Sequence, residues 1–135
     1  MWLIFGGSKD AELADQVKIA IQNQASDIRN LAGDTSLREL MALFKLCRVL
    51  VTNDTGPMHV AAALGTPVVV PFGSTSPELT GPGLPGDPKN KLFKANVICS
   101  PCFLRTCPID FRCMDDIGTD EVVKGVISIV GYSAR

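Results

Sequence analysis

The chain has 135 residues, enough for one domain that buries about two-thirds of its unfolded surface. Hydrophobic residues make up 46% and the mean hydropathy is +0.22, which suits a parallel sheet buried on both faces. A net charge of -1, from 13 Lys and Arg against 14 Asp and Glu, supplies no basic field and argues against nucleic acid as a partner; no apolar segment approaches the ~20 residues of a membrane span.

The N-terminal run MWLIFGGSKD has no basic region ahead of its apolar residues. It therefore reads as a strand, Trp2 to Phe5, rather than a secretory leader. Ser8 then caps a helix expected from about Lys9 to Asn23, with Leu13, Val17 and Ile21, joined by Ala14 and Ala20, facing inward and Glu12 among the polar residues. Ile28 to Leu31 is a second, brief strand with Ala32-Gly33-Asp34 as its exit loop. Thr35 or Ser36 caps the next helix, in which Leu37, Leu40, Met41 and Phe44 share a face. Glu39 stands three residues after Ser36 and completes a capping box. Cys47, at the end of that helix, reads as a buried structural thiol.

The stretch from Arg48 to Gly73, RVLVTNDTGPMHVAAALGTPVVVPFG, organises the rest. It reads as a buried strand from Val49 to Thr52, a polar turn from Asn53 to Gly56, a helix entered at Pro57, and a second buried strand from Pro67 to Phe72. Strand, turn and helix N-terminus in that order present backbone N–H groups to an anion, at the carboxyl end of a parallel sheet. An ordinary crossover in which Asn53 or Asp54 caps the helix fits the same spacing. His59, the one histidine of the chain, lies in the first helical turn, where its ring can lean back over the turn or pack into the core.

After Gly73 the pattern dissolves into STSPELTGPGLPGDPKNK, a long Gly- and Pro-rich loop of the kind that carries function. A last strand is expected within Leu92 to Ile98, then a cysteine-rich loop at about 99–114, then a closing helix from Asp120 to Ile129 capped by Thr119. Val122, Val123, Val126, Ile127 and Val130 make its inner face. The alternation of strands and helices implies a single α/β domain over residues 1–135, with a parallel sheet and helices on both faces. Three loops are expected to converge at the carboxyl ends of its strands: Gly6 to Ser8, Gly33 to Ser36, and Asn53 to His59. Cys99, Cys102, Cys107 and Cys113 are spaced C-x2-C-x4-C-x5-C, which suits a zinc or iron–sulfur site, reduced thiols packing an irregular loop, or disulfides in any of three pairings. Arg105 and Arg112 make that loop locally basic.

The run NDTGPMHVAAALGTPVVVPFGSTSPELTGP closely resembles the donor-binding half of the ADP-heptose:lipopolysaccharide heptosyltransferases, glycosyltransferase family 9. LIFGGSKDAELADQV and NLAGDTSLRELMALFKLCRVLVT resemble the two βα units ahead of that motif, and CSPCFLRTCPIDFRCM resembles the cysteine-rich segment of the heptosyltransferase II-like members. The resemblance implies the C-terminal domain of a GT-B enzyme, with two Rossmann-like domains facing a cleft. The catalytic base is then an aspartate of the other domain, with no counterpart here, and the first strand of the donor domain, with its phosphate-binding lysine loop, would precede Trp2.

Carried onto this chain, the resemblance places Thr55 and Gly56 at the diphosphate, His59 beside it as a stabiliser of the leaving group, and Asp54 at the sugar hydroxyls. Glu12 matches a ribose ligand, Thr35 and Ser36 the edge of the adenine pocket, and Thr75 and Glu78 a loop closing beside the sugar. It implies an inverting transfer of heptose from ADP-heptose to the lipopolysaccharide inner core, without a cofactor or catalytic metal, in the cytoplasm at the inner face of the bacterial inner membrane. Alternatives that stay open are a transferase using another nucleotide sugar, a nucleotide-binding module without activity, and a metal-binding domain built on the cysteines. A missing strand would leave an uncovered sheet edge, so self-association is expected.

Overall fold

The computed structural model describes residues 1–23, 27–83 and 86–131. Part of the long loop after Gly73, residues 84–85, lies outside them. The chain divides into two compact units, Met1–Leu40 and Met41–Arg135, and each holds one parallel sheet. The α/β class and the parallel pairing are as the sequence implies.

In the first unit, β1 (Trp2–Ile4) pairs in parallel with β2 (Ile28–Asn30), Trp2 opposite Ile28 and Ile4 opposite Asn30. The crossover between them is a 3₁₀ turn, Ser8–Asp10, followed by α1 (Ala11–Ile21). Ser8 does not cap this helix. Gly7 precedes the turn, and its N–H donates to Asp10 Oδ2 at 2.8 Å. The inner face of α1 also differs from the expected one: Ala14 is buried, while Leu13 and Val17 are 61% and 43% exposed. Two strands of three residues cover only a narrow strip of helix. Asn30 centres that strip, its Nδ2 donating to Asp15 Oδ1 at 2.8 Å and to Ala11 O at 3.3 Å.

The two exit loops of this sheet pack on each other, as expected for Gly6 to Ser8 and Gly33 to Ser36. Gly33 N–H donates to Gly6 O at 3.0 Å, and a Cβ on Gly33, whose φ is +85°, would sit 3.0 Å from Ser8 Cα. That approach explains the glycine. Next, α2 (Leu37–Leu46) starts at the expected capping box: Ser36 N–H donates to Glu39 Oε2 at 2.8 Å and Glu39 N–H to Ser36 Oγ at 3.3 Å.

The second unit is built on β3 (Leu50–Val51), β4 (Val68–Phe72) and β5 (Lys91–Lys94), parallel and in that order. Four of the five residues of β4 are buried, and Val68, Val69, Val70 and Phe72 are fully enclosed; this central strand is buried as its unbroken apolar run requires. Phe44 from α2 and Met58 and Ala61 from α3 (Gly56–Ala63) complete the core. Buried Thr66 donates its hydroxyl to Phe44 O at 2.8 Å, satisfying a carbonyl in the last turn of α2. Cys47 is half-buried, and burial pushes its thiol up.

Two short helices fall where the sequence reads as loop: α4 (Pro77–Thr80) and α5 (Arg112–Asp115). The closing helix α6 (Thr119–Val130) starts at Thr119 itself, with Gly118 at the N-cap. Its inner face is set by Gly125, because a Cβ there would lie 2.7 Å from Phe93 Cζ; Val123 and Ile127 are instead 48% and 39% exposed. At its other end Arg48 Nη2 donates to Val130 O, placing a cation at the helix C-terminus.

Candidate functional site

The turn after β3 is anchored from both sides. Thr52 N–H continues the ladder to Val69 O at 3.1 Å, and the hydroxyls of Thr52 and Thr55 both lie within hydrogen-bond reach of Asn53 O. Thr55 is the N-cap of α3, Gly56 takes the first helical position and Pro57 the second. No side chain caps the helix. The ordinary-crossover reading, with Asn53 or Asp54 as cap, is therefore not what this turn does.

Asp54 faces elsewhere. Thr80 Oγ1 donates to its Oδ2 at 2.6 Å, and the same hydroxyl is 3.0 Å from Ser76 O. α4 thus fixes one carboxylate oxygen of Asp54 across 26 residues of chain. In the same helix Ser76 Oγ donates to Glu78, whose carboxyl falls below its usual range mainly for that reason.

A cavity of about 550 Å³ opens beside this carboxylate. Asn53 and Asp54 from the turn after β3, Pro71 from β4, and Gly73, Ser74 and Thr75 after it form one side. The cysteine-bearing segment forms the other, with Cys99, Cys102, Cys107, Cys113, Arg105 and the apolar Leu104, Ile109, Phe111 and Met114. That segment is tied to the strand exit. Ser100 Oγ donates to Gly73 O at 2.7 Å, and the amides of Cys102 and Phe103 donate to Ser74 O at 3.0 and 2.8 Å. The segment comes close to Gly73: a Cβ there would lie 2.7 Å from Met114 Sδ, so Met114 would have to shift.

Of the residues singled out from sequence, the cavity wall holds Asp54, Thr75, Arg105 and the four cysteines together. Thr55, Gly56 and His59 are not part of it. His59 is exposed on the first turn of α3, so it is no core histidine, and no hydrogen-bond partner is found for it among the described residues. Arg112 is committed to Asp110 at 2.6 Å, which holds that carboxyl below its usual range. In the first unit Glu12 is exposed on α1, Thr35 is half-buried, and exposed Ser36 caps α2. Among the described residues no three or more His, Cys, Asp or Glu side chains are gathered closely enough to hold a metal ion.

Two contributors were not singled out from sequence. Thr80, as the partner of Asp54, carries no local signal because the contact spans two separate loops. Gly73 does carry one, standing directly after an unbroken buried strand where a second segment must approach.

Residues 1–111 match the model of glycosyltransferase family 9 (heptosyltransferase). The chain belongs to this family. The family 9 chain is 32% identical over 124 residues to lipooligosaccharide heptosyltransferase 2 of Campylobacter jejuni, covering 90% of itself and 38% of that protein. It is 43% identical over 81 residues to lipopolysaccharide heptosyltransferase 2 of Escherichia coli K12, covering 59% of itself and 23% of the relative. Among solved structures it superposes on E. coli ADP-heptose lps heptosyltransferase II with a TM-score of 0.75 and 32% identity, over 95% of this chain and 35% of that one. The matches thus span between 23% and 38% of the length of these relatives.

Proposed function

We propose that this chain supplies the nucleotide-sugar half of a heptosyltransferase, binding ADP-heptose for inverting transfer to the lipopolysaccharide inner core. The observation that carries the reading is Asp54. One of its oxygens is held by Thr80 beside a cavity at the carboxyl end of β3 and β4, the place where open parallel sheets bind ligands. A fixed carboxylate repels phosphate and accepts hydrogen bonds from hydroxyls, so its ligand is the sugar. The diphosphate falls to the uncapped N-terminus of α3, where Thr55, Gly56 and exposed His59 stand; N–H groups and the helix dipole there favour the charge that grows as the sugar leaves.

Glu12, Thr35 and Ser36 are assigned to the ribose and adenine, and the acceptor and the catalytic base to the part of a full-length relative that this chain does not span. The same proposal puts the protein at the cytoplasmic face of the inner membrane. No helix among the described residues is long and apolar enough to cross a membrane. Self-association through an uncovered sheet edge or apolar face belongs to the same proposal; a clean monomer by light scattering refutes it.

Isothermal calorimetry with ADP and ADP-heptose tests the assignment. Asp54→Ala should weaken ADP-heptose binding roughly tenfold while sparing ADP, the loss expected for one or two hydrogen bonds to a charged group; His59→Ala should weaken both. Equal affinity of parent and Asp54→Ala for ADP-heptose refutes the sugar assignment. Tighter binding of a UDP- or GDP-sugar overturns the choice of donor.

A further inference from the structure

Cys99, Cys102, Cys107 and Cys113 line one wall of the cavity, and none is in a disulfide. Their surroundings differ. Cys113 is buried against Gly73, and that burial, followed by the neighbouring Cys99, Cys107 and Cys102, pushes its thiol up. Cys102 is exposed. Cys107 is half-buried, and Phe111 N–H donates to its Sγ at 3.4 Å.

Phe111 takes a left-handed φ of 57° as its amide meets that sulfur, a conformation that costs an aromatic residue. A backbone N–H donated to a sulfur favours the anion that can form there, a thiolate. Backbone hydrogen bonding, from Ile109 most and then Phe111, holds the Cys107 thiol below its ordinary range, while burial and then the Asp110 carboxylate oppose it. Arg112 takes both oxygens of Asp110 and blunts the carboxylate's part in that opposition, and Arg105 lines the same cavity.

We propose that Cys107 is a nucleophilic thiol and that this four-thiol wall is a covalent modification site for low-molecular-weight disulfides, whose adduct occupies the cavity beside Asn53 and Asp54. The step is thiol–disulfide exchange. Cys107 Sγ⁻ attacks one sulfur of RS–SR and forms a Cys107–S–SR bond. The second sulfur leaves with the electron pair of the broken bond as RS⁻ and takes a proton from water. The protein thiol is oxidised to the disulfide level, one half of the reagent is reduced to a thiol, and no further oxidant enters. The inference rests on the cavity wall alone and not on the donor reading.

Reduced protein is treated at pH 7 with limiting 5,5′-dithiobis(2-nitrobenzoate), quenched with N-ethylmaleimide and peptide-mapped over time. The adduct is expected first at Cys107, several-fold faster than at the more exposed Cys102. Cys107→Ser should remove the fast phase, and Cys102→Ser and Cys47→Ser should keep it. Reaction first at Cys102, so that exposure alone sets the order, overturns the proposal, as does a fast phase that survives in Cys107→Ser. The parent map decides even if that variant folds poorly. Placement of the adduct is read from Cys99, whose alkylation should slow several-fold once Cys107 is blocked. Unchanged Cys99 alkylation, or loss of the adduct to an internal disulfide, overturns that placement. No readout uses a nucleotide, so this inference and the donor reading fail separately.

Discussion

Gly73→Ala puts one methyl group at the point where the cysteine-bearing segment meets the central strand. The added Cβ would lie 2.7 Å from Met114 Sδ, 2.8 Å from Met114 Cγ and 3.6 Å from Cys113 Sγ. Carbon contacts are comfortable only from about 3.5 Å, so Met114 must give way by close to 1 Å. The atoms met are the flexible end of Met114, itself 38% exposed, so the cost falls near the low end of the about 1–3 kcal/mol of overpacking. The alanine recovers about 0.4–1 kcal/mol by restricting the unfolded chain, because the backbone at Gly73 does not demand a positive φ.

The overlap slightly outweighs the entropy, and a net loss of up to about 1 kcal/mol is expected. With a urea slope of about 2 kcal/mol/M, the midpoint should fall by up to about 0.5 M. Buried Cys113 should also react faster with thiol reagents, because the wall that shields it has moved. Met114→Ala in the Gly73→Ala background should restore part of the loss, with a coupling energy on the order of 1 kcal/mol in the double-mutant cycle. A Gly73→Ala protein as stable as the parent, with Cys113 still shielded and no coupling to Met114, refutes the close approach.

Thr80→Val removes the hydroxyl that fixes Asp54 at 2.6 Å; ADP-heptose affinity by calorimetry should fall several-fold with ADP binding unchanged, and Thr80→Ser should restore it. Arg48→Met takes the cation from Val130 O at the C-terminus of α6, a loss of about 0.3–1 kcal/mol. Amide exchange in the last turn of α6 should quicken in that variant, and unaltered protection there counts against the contact. Stability should fall on acidification. The carboxyls of Glu39, Glu78 and Asp110 lie below their ordinary values of 4.5, 4.5 and 3.8 through Ser36, Ser76 and Arg112 respectively. Each binds fewer protons folded than unfolded, so its stabilisation is complete above the ordinary value and is lost as pH falls through the lower folded one. The urea midpoint should be flat from about pH 7 to 5 and drop below about 4.5; a midpoint that rises in acid contradicts the sign.

The parts legible in the sequence are those whose cause is local. Val68 to Phe72 is apolar at nearly every position because both faces of the strand are covered, and Ser36 with Glu39 forms a capping box whose partners are three residues apart. Helix inner faces were less legible. A 3.6-residue pattern tells which side of α1 or α6 is apolar, but how much of that side is covered depends on strand length and on where backbones touch. Ala14 and Gly125 are buried because a short sheet and the Phe93 ring meet the helices there, while Leu13 and Val123 stay exposed.

The site divides in the same way. Asp54 stands out from its turn, but its orientation comes from Thr80, 26 residues later, on a one-turn helix inside a Gly- and Pro-rich loop where periodicity says nothing. The cysteine spacing suggests a shared ligand and leaves open what the thiols face. The structure answers with hydrogen bonds to Gly73 O and Ser74 O that seat the segment over the exit of β4, so Asp54 and the thiols become walls of one cavity. Under the two proposals made above, a carboxylate that accepts from hydroxyls and a nucleophilic sulfur address the same space, and an occupant has to satisfy the first without reacting with the second. A sugar would do both, since it offers hydroxyls to Asp54 and no disulfide to Cys107.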